Sequence, residues 1–531
     1  MTTLRKIHAC LLSVVAVSLV WGAAPASGGS VLPQNKVPGW VESKARRLMH
    51  ELKKDGYEVS RGYFRLYTLD DCPYSWDTMG TCYGNNAAAP YVLPVVPPWP
   101  EEFVDPATEL ALGPAAEGYR HTFRLDPREA IVILAQMPPP AAYFGLQSYL
   151  FTREGTFETD SLAYQFVFNR LPNLLTTFFS IVPQNPDRIQ PFASLGNSIN
   201  NVVIEDQSGA AFDQVRFFVI TPDQFMDAAV RQAFAEIRVD EEEIFTEAIP
   251  AQVLTGLGES ADELISVIRY SMPEDGGDRG TASDTWRQEL PLVVLRVRDT
   301  RLDRAPEPYP EPVLDTRTAV DELGLAADQM SLVAAVAKRW GQPCQELDCS
   351  DRAQTFLDLQ RPPLSLVGPL CTEIGMNCLG DTQDTTYQFV GQFPLDEGQV
   401  YAVASTLGTR TGNAVYVALG VNRFPAKMGV ANIPDAELED TAEGYAAYVS
   451  DPDPFYLYYF ARDCTGLEAL TDGNCLSITD EMIPICPEPG DPTCDRAVFS
   501  QRDYVRPGTQ RGPNSLLKLR PVIIMLQRPA E

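Results

Sequence analysis

The sequence predicts an α+β, mainly β fold: two β-rich, sandwich-like units joined by a long helix, with loops pinned by disulfides. Three observations predict it. Apolar runs of strand length recur with turn residues between them. One long stretch, Thr318 to Trp340, carries apolar residues at helical spacing. Ten cysteines fall in neighbouring pairs. At 531 residues the chain exceeds what one compact core holds, and with 45% hydrophobic and 21% charged residues it has the usual means to bury two.

The elements follow in order. Residues 1–26 hold Arg5 and Lys6, an apolar run from Ala9 to Trp21 and small residues ending Ala24-Pro25-Ala26, the pattern of a cleaved signal peptide. Residues 27–100 form an N-terminal helix and a disulfide-pinned loop region. Val41, Leu48 and Leu52 sit near helical spacing, Gly56 supplies the stop, and Tyr63 to Pro100 is rich in turn residues and aromatics. This basic helix would dock on an acidic face of its own chain or of a partner.

Residues 101–304 form the first β-rich unit. Strands are expected at Tyr119–Leu125, Ala130–Gln136, Tyr143–Phe151, Ala163–Phe168, Val215–Ile220, Ile249–Leu254 and Leu290–Val297. An inserted helix follows Thr221-Pro222-Asp223-Gln224, with Phe225, Ala229, Phe234 and Ile237 as its apolar stripe. Residues 305–345 are a proline-rich linker and the bridging helix, which ends at Gly341.

Residues 346–531 form the second β-rich unit. Val400–Leu407 and Asn413–Leu419 flank Gly408-Thr-Arg-Thr-Gly412 as a hairpin, and Phe455–Arg462 and Val522–Gln527 add strands. Leu125-Asp126, a strand and Ala142-Tyr143 echo Leu395-Asp396, a strand and Ala414-Val415-Tyr416, as two related sandwich-like units would.

Charge narrows the partners. The formal charge is −29 and becomes −31 without Arg5 and Lys6. Such a surface lacks the clustered cations that nucleic acid requires, which excludes that class. Only eight lysines occur, five of them before residue 55. After the leader no stretch is long and apolar enough to span a bilayer, so a secreted or periplasmic protein without a transmembrane segment is expected. The simplest disulfide pattern joins each cysteine to its neighbour: Cys72 to Cys82, Cys344 to Cys349, Cys371 to Cys378, Cys464 to Cys475, and Cys486 to Cys494. Zinc has no Cys-x-x-Cys pair, and beside His50-Glu51 the second ligand position is Lys54.

Candidate chemistry is sparse. A serine hydrolase needs a histidine base, and His121 is the better of two mature histidines; between Tyr119 and Phe123 it equally suits a buried core. No Gly-x-Ser-x-Gly elbow occurs. Phe192-Ala-Ser-Leu-Gly-Asn-Ser198 supplies Ser194 and Ser198 as candidate nucleophiles. A carboxylate pair could act instead, although 71 acids leave it unassigned. No cofactor is specified. For calcium, Asp275-Gly-Gly-Asp278 with Asp284, or Gly380-Asp381-Thr-Gln-Asp384, offers oxygens without matching an EF-hand, and turn chemistry explains both equally well. Gly256-Leu-Gly258-Glu-Ser-Ala261 matches a dinucleotide fingerprint but lacks the surrounding strand and helix alternation. Aromatics at Tyr91–Trp99 and Phe455–Phe460 could line a groove or fill a core.

The segment Pro138-Pro-Pro-Ala-Ala-Tyr-Phe-Gly-Leu-Gln-Ser-Tyr149 resembles a motif of uncharacterised bacterial envelope proteins of domain-of-unknown-function type, with Ala142 where those proteins carry Arg. The resemblance implies a β-rich secreted fold and transfers no functional residue. The activity expected is a hydrolase acting on a neutral or apolar small molecule or polymer. A non-catalytic ligand-binding or surface-interaction protein is the alternative.

Overall fold

The computed structural model describes residues 35–301, 304–345, 348–486 and 494–529; the expected leader lies outside them. The first half begins with helix α1 (Gly39–Lys54) and strands β1 (Glu58–Arg61), β2 (Tyr63–Leu66), β3 (Val92–Val95), β4 (Glu129–Gln136) and β5 (Ala141–Glu154). After an insertion it resumes with β6 (Val215–Thr221), α2 (Gln224–Glu236), β7 (Ile244–Ala248), β8 (Glu263–Pro273) and β9 (Leu292–Arg298). Sheet one has the order β1-β9-β4-β6-β7. Sheet two runs β2-β3-β8-β5 and is extended by short insertion strands beside β5.

β4 reads as an unbroken apolar run because both its faces are covered. Ile131, Ile133 and Ala135 face sheet two, while Ala130, Val132 and Leu134 face the helices. On that outer side α1 buries Val41, Ala45, Leu48 and Leu52, and α2 buries Met226, Val230, Ala233 and Phe234. The basic helix therefore docks through its apolar stripe, each buried leucine contributing roughly 1.5–3 kcal/mol.

The second half repeats the plan. Helix α3 (Ala326–Arg339) is followed by β10 (Ala353–Thr355), β11 (Leu357–Asp358), β12 (Thr385–Phe393), β13 (Gln399–Thr406), β14 (Tyr416–Phe424) and β15 (Met428–Pro434). Then come β16 (Phe455–Ala461), β17 (Cys475–Ser477), β18 (Arg496–Tyr504) and β19 (Val522–Gln527). Sheet three is β10-β19-β13-β16-β17 and sheet four is β11-β12-β18-β14-β15. Matched in chain order, sheet three has the strand order of sheet one, and β11-β12-β18-β14 that of β2-β3-β8-β5. Each sheet has one sense of pairing throughout except the parallel pairs β6/β7 and β16/β17, which correspond. Even a turn recurs: Asp126 N donates to Glu129 Oε2 at 3.1 Å, and Asp396 N to Gln399 Oε1 at 3.0 Å. The echo in the sequence is thus a repeat of topology.

Several expectations are corrected. The region 27–100 is not separate, because β1, β2 and β3 belong to the first half's sheets. The helix expected to bridge the units starts at Ala326 and covers sheet three, packing Leu332, Val333 and Val336 against β13 and β19. Ala163–Phe168 is helical within Leu162–Arg170, since Ser161 caps the helix and Ala163 and Val167 bury one face. Asp223 rather than Thr221 caps α2. Tyr119–Leu125 makes only isolated bridges, and Ile249–Leu254 forms no strand, with one isolated bridge at Pro250 and a turn after it. β13 and β14 are no hairpin: β13 pairs with β16 and β19, whereas β14 pairs with β15 and β18 in the other sheet. All five neighbour disulfides are present.

Candidate functional site

The outer faces of sheets two and four meet, and a cavity of about 300 Å³ lies between them. Strand alternation dictates which side chains arrive there. From the first half come Tyr91 beside β3 and Arg269 on β8; from the second come Tyr387 and Phe389 on β12 and Ser500 and Arg502 on β18. With Tyr143 and Tyr416 in register, Arg269 and Arg502 are equivalent: Arg269 pairs with Gly145 and Arg502 with Ala418, each two residues beyond its tyrosine.

The buried end of the cavity is where the halves touch. The Tyr143 and Tyr504 rings lie 4.8 Å apart and those of Tyr416 and Tyr504 4.9 Å apart. Asn86 Nδ2 donates to the hydroxyls of Tyr416 and Tyr504, both at 3.2 Å. Arg502 Nη2 donates to Gly84 O at 2.7 Å. Arg269 Nη1 donates to Tyr149 Oη at 2.6 Å, and its guanidinium sits 4.9 Å from the Tyr91 ring centre. Towards the mouth the lining becomes apolar and half-buried, with Leu171 and Leu174 from the insertion opposite Leu357 and Phe389.

The charge of this lining opposes that of the protein. Four cations, Arg269, Arg423, Lys427 and Arg502, line the cavity, and no Asp or Glu does. Arg423 is paired with Asp495 at 2.6 Å. Among the described residues Arg269, Lys427 and Arg502 have no carboxylate partner within ion-pair distance. Burial pushes the Lys427 ammonium down to about 8.

The predicted catalytic residues are not brought together. His121 is buried with Nε2 3.3 Å from Arg65 Nη1, and burial, then the Arg65 and Arg120 charges, push its pKa down to about 3. The residue in contact with His121, Arg65, lies on β2, whereas Ser194 pairs with Tyr149 on β5, with β3 and β8 between those strands. A triad with His121 as base is therefore not assembled.

Ser194 instead fastens one half to the other. Its N and Oγ donate to Asp381 Oδ1 and Oδ2 at 2.9 and 2.8 Å, and Gln383 Nε2 donates to its Oγ at 2.8 Å. Gly368 packs so close that a Cβ there would stand 1.9 Å from Ser194 O, so only glycine fits. Ser198 Oγ donates to Gln147 Oε1 at 2.8 Å.

The loop offered for calcium belongs to the same seam. Burial raises the Asp381 carboxyl to about 6 against its hydrogen bonds, and Asp384 Oδ2 accepts from Tyr143 Oη at 3.1 Å and Asn200 Nδ2 at 3.2 Å. The other loop is turn chemistry: Asp275 accepts from Ser283 N at 2.9 Å and Asp284 from Gly280 N at 2.7 Å. No group of three or more His, Cys, Asp or Glu among the described residues is placed to hold a metal.

Sequence reasoning missed Arg269, Arg502 and Lys427. A signal existed for the last, since Lys427 is one of only three lysines after residue 54. The arginines sit inside strands whose outward faces read as ordinary surface until the second sheet covers them.

No protein-family model matches the chain, and no curated protein matches it. Among solved structures it is similar to an uncharacterised protein from Burkholderia cenocepacia, with TM-score 0.36 and 10% identity over 92% of this chain and 87% of that one. It is also similar to the VPA0106 protein from Vibrio parahaemolyticus, with TM-score 0.32 and 10% identity over 92% and 96% of the two chains. At these scores neither likeness bears on function.

Proposed function

We propose that this is an exported, non-catalytic binding protein that encloses a small molecule in the cavity between its halves. The single observation that carries the reading is the cavity itself, built jointly by two sheets and walled by aromatic and aliphatic side chains. Export is supported by the leader pattern at residues 1–26 and by five disulfides. No helix among the described residues is long and apolar enough to cross a membrane.

Hydrolysis is the weaker reading. Ser194 is held by Asp381 and Gln383, Ser198 by Gln147, and His121 Nε2 is in contact with the Arg65 guanidinium. A fluorophosphonate that labels activated serines is expected to leave the protein unmodified.

The direct test is titration with an environment-sensitive apolar dye. One dye per chain is expected to bind with a rise in fluorescence, and Leu174→Trp or Val498→Trp, which fill the cavity, to reduce binding at least tenfold. Binding unaffected by both substitutions would place the dye elsewhere and defeat the reading.

A further inference from the structure

The cavity has a polarity the enclosure reading does not use. Its buried end holds Arg269 and Arg502, contributed by equivalent positions of the two halves, and Lys427 lines the same space. The protein carries 71 acidic residues against 42 Lys and Arg, yet none of the acids lines this space. A desolvated cation without a counter-ion is costly, and buried charges are as a rule paired. Arg269 and Arg502 are buried without a carboxylate partner, and half-buried Lys427 has no hydrogen-bond or ion-pair partner for its ammonium among the described residues, with burial pushing its titration down. It also sits in the left-handed region at φ 55° in the β14–β15 connection, whose backbone accepts from Gly84 N and Cys82 N of the first half. The seam thus holds this lysine against the cavity.

The opposite end asks for the opposite chemistry. Leu171, Leu174, Leu357 and Phe389 form a half-buried apolar mouth, part of a cluster joining the insertion to sheet four. We infer that the cavity takes an amphipathic anion, with one carboxylate or phosphate head at Arg502, Lys427 and Arg269 and an apolar chain or ring system reaching the mouth. A space of about 300 Å³ suits on the order of 15 non-hydrogen atoms, the size of a medium-chain fatty acid. This ligand class differs from the neutral or apolar one expected from the sequence.

This inference rests on the enclosure reading, and the two are separable in one competition experiment. Dodecanoate, dodecyl phosphate and dodecanol are each titrated against the bound apolar dye. Dodecanoate or dodecyl phosphate is expected to displace it at concentrations at least tenfold lower than dodecanol, and the better of the two identifies the head group. In Lys427→Met and in Arg502→Gln that ratio is expected to fall to about twofold or less, with dye binding reporting in each variant that the cavity has formed. Equal displacement by acid and alcohol in the unmodified protein would overturn the anionic class while leaving enclosure intact. Failure of the dye itself to bind would remove enclosure first.

Discussion

The two halves share a strand order and differ in what fills equivalent positions. In the first half, Ser148 on β5 pairs with Ser266 on β8, their hydroxyls 2.8 Å apart, and Ser148 contacts Glu247 on β7. With the registers matched, the second half has Val421, Phe499 and Leu476 there, the first two in the apolar core between its sheets and Leu476 packed against it. One plan therefore tolerates either a satisfied carboxylate or plain packing, so the polar cluster is not required by the topology. Their edges differ too. The first half inserts residues 155–214 after β5, supplying the mouth leucines and Ser194, whereas the second continues into the β14–β15 hairpin that carries Lys427. What repeats is the scaffold and its pair of arginines; what does not repeat makes the cavity two-ended.

The largest effect expected of a variant comes from the buried ions, which the halves place differently. Arg296 on β9 lies 2.5 Å from Glu129 and 2.6 Å from Glu102, while Lys518, ahead of β19, lies 3.0 Å from Asp503 and 3.3 Å from Glu322. Lys518→Met leaves two buried carboxylates facing each other and is expected to lower stability by about 3–5 kcal/mol in denaturant unfolding. Arg296→Met should cost a similar amount. A loss below about 1 kcal/mol in either would show that the half in question does not depend on its ion cluster.

Glu247 gives the next effect. Burial raises its pKa to about 7 from 4.5, despite hydrogen bonds from Ser148 and Gln147. The folded state thus holds a proton that the unfolded chain releases between these values, and this site's contribution to stability falls as pH rises from about 4.5 to 7. The fall is on the order of 3 kcal/mol. Glu247→Gln, which keeps the neutral acid's donor towards Ser148, is expected to remove that slope from a stability-against-pH series. An unchanged slope would assign it elsewhere.

A smaller effect concerns the cavity. Because the Lys427 ammonium is lost above about pH 8, affinity for dodecanoate is expected to fall about fivefold between pH 7 and pH 9, and this fall should be absent in Lys427→Met. The smallest is His121→Asn, expected to leave ligand affinity within about twofold while lowering stability by about 1–2 kcal/mol.

Much of the fold was legible because the central strands are apolar on both faces. β4, β6, β9, β13, β16 and β19 are such strands, short and rich in β-branched and aromatic residues as buried strands are. Short edge strands such as β10 and β11 were not, since two or three residues carry no period and their place comes from the neighbouring strand. Leu162–Arg170 misled through its aromatics, whose strand preference lost to the Ser161 cap and one buried face. The neighbour pairing of the disulfides, the simplest of the patterns the spacing leaves open, is the one present.

The site was scarcely legible. His121 and the serines attracted attention because their chemistry is familiar, whereas Arg269 and Arg502 gain meaning only when two sheets are placed face to face. The faint echo between Tyr143 and Tyr416 held that information, but it marks equivalent positions and says nothing of which faces meet.

The most direct test is a crystal structure of the protein purified from its own host with no ligand added. The account predicts continuous elongated density between sheets two and four, with a polar end within hydrogen-bond reach of Arg502, Arg269 or Lys427 and an apolar end beside Leu174 and Phe389. A cavity filled by ordered water alone, or a co-purified molecule bound anywhere else, would contradict it.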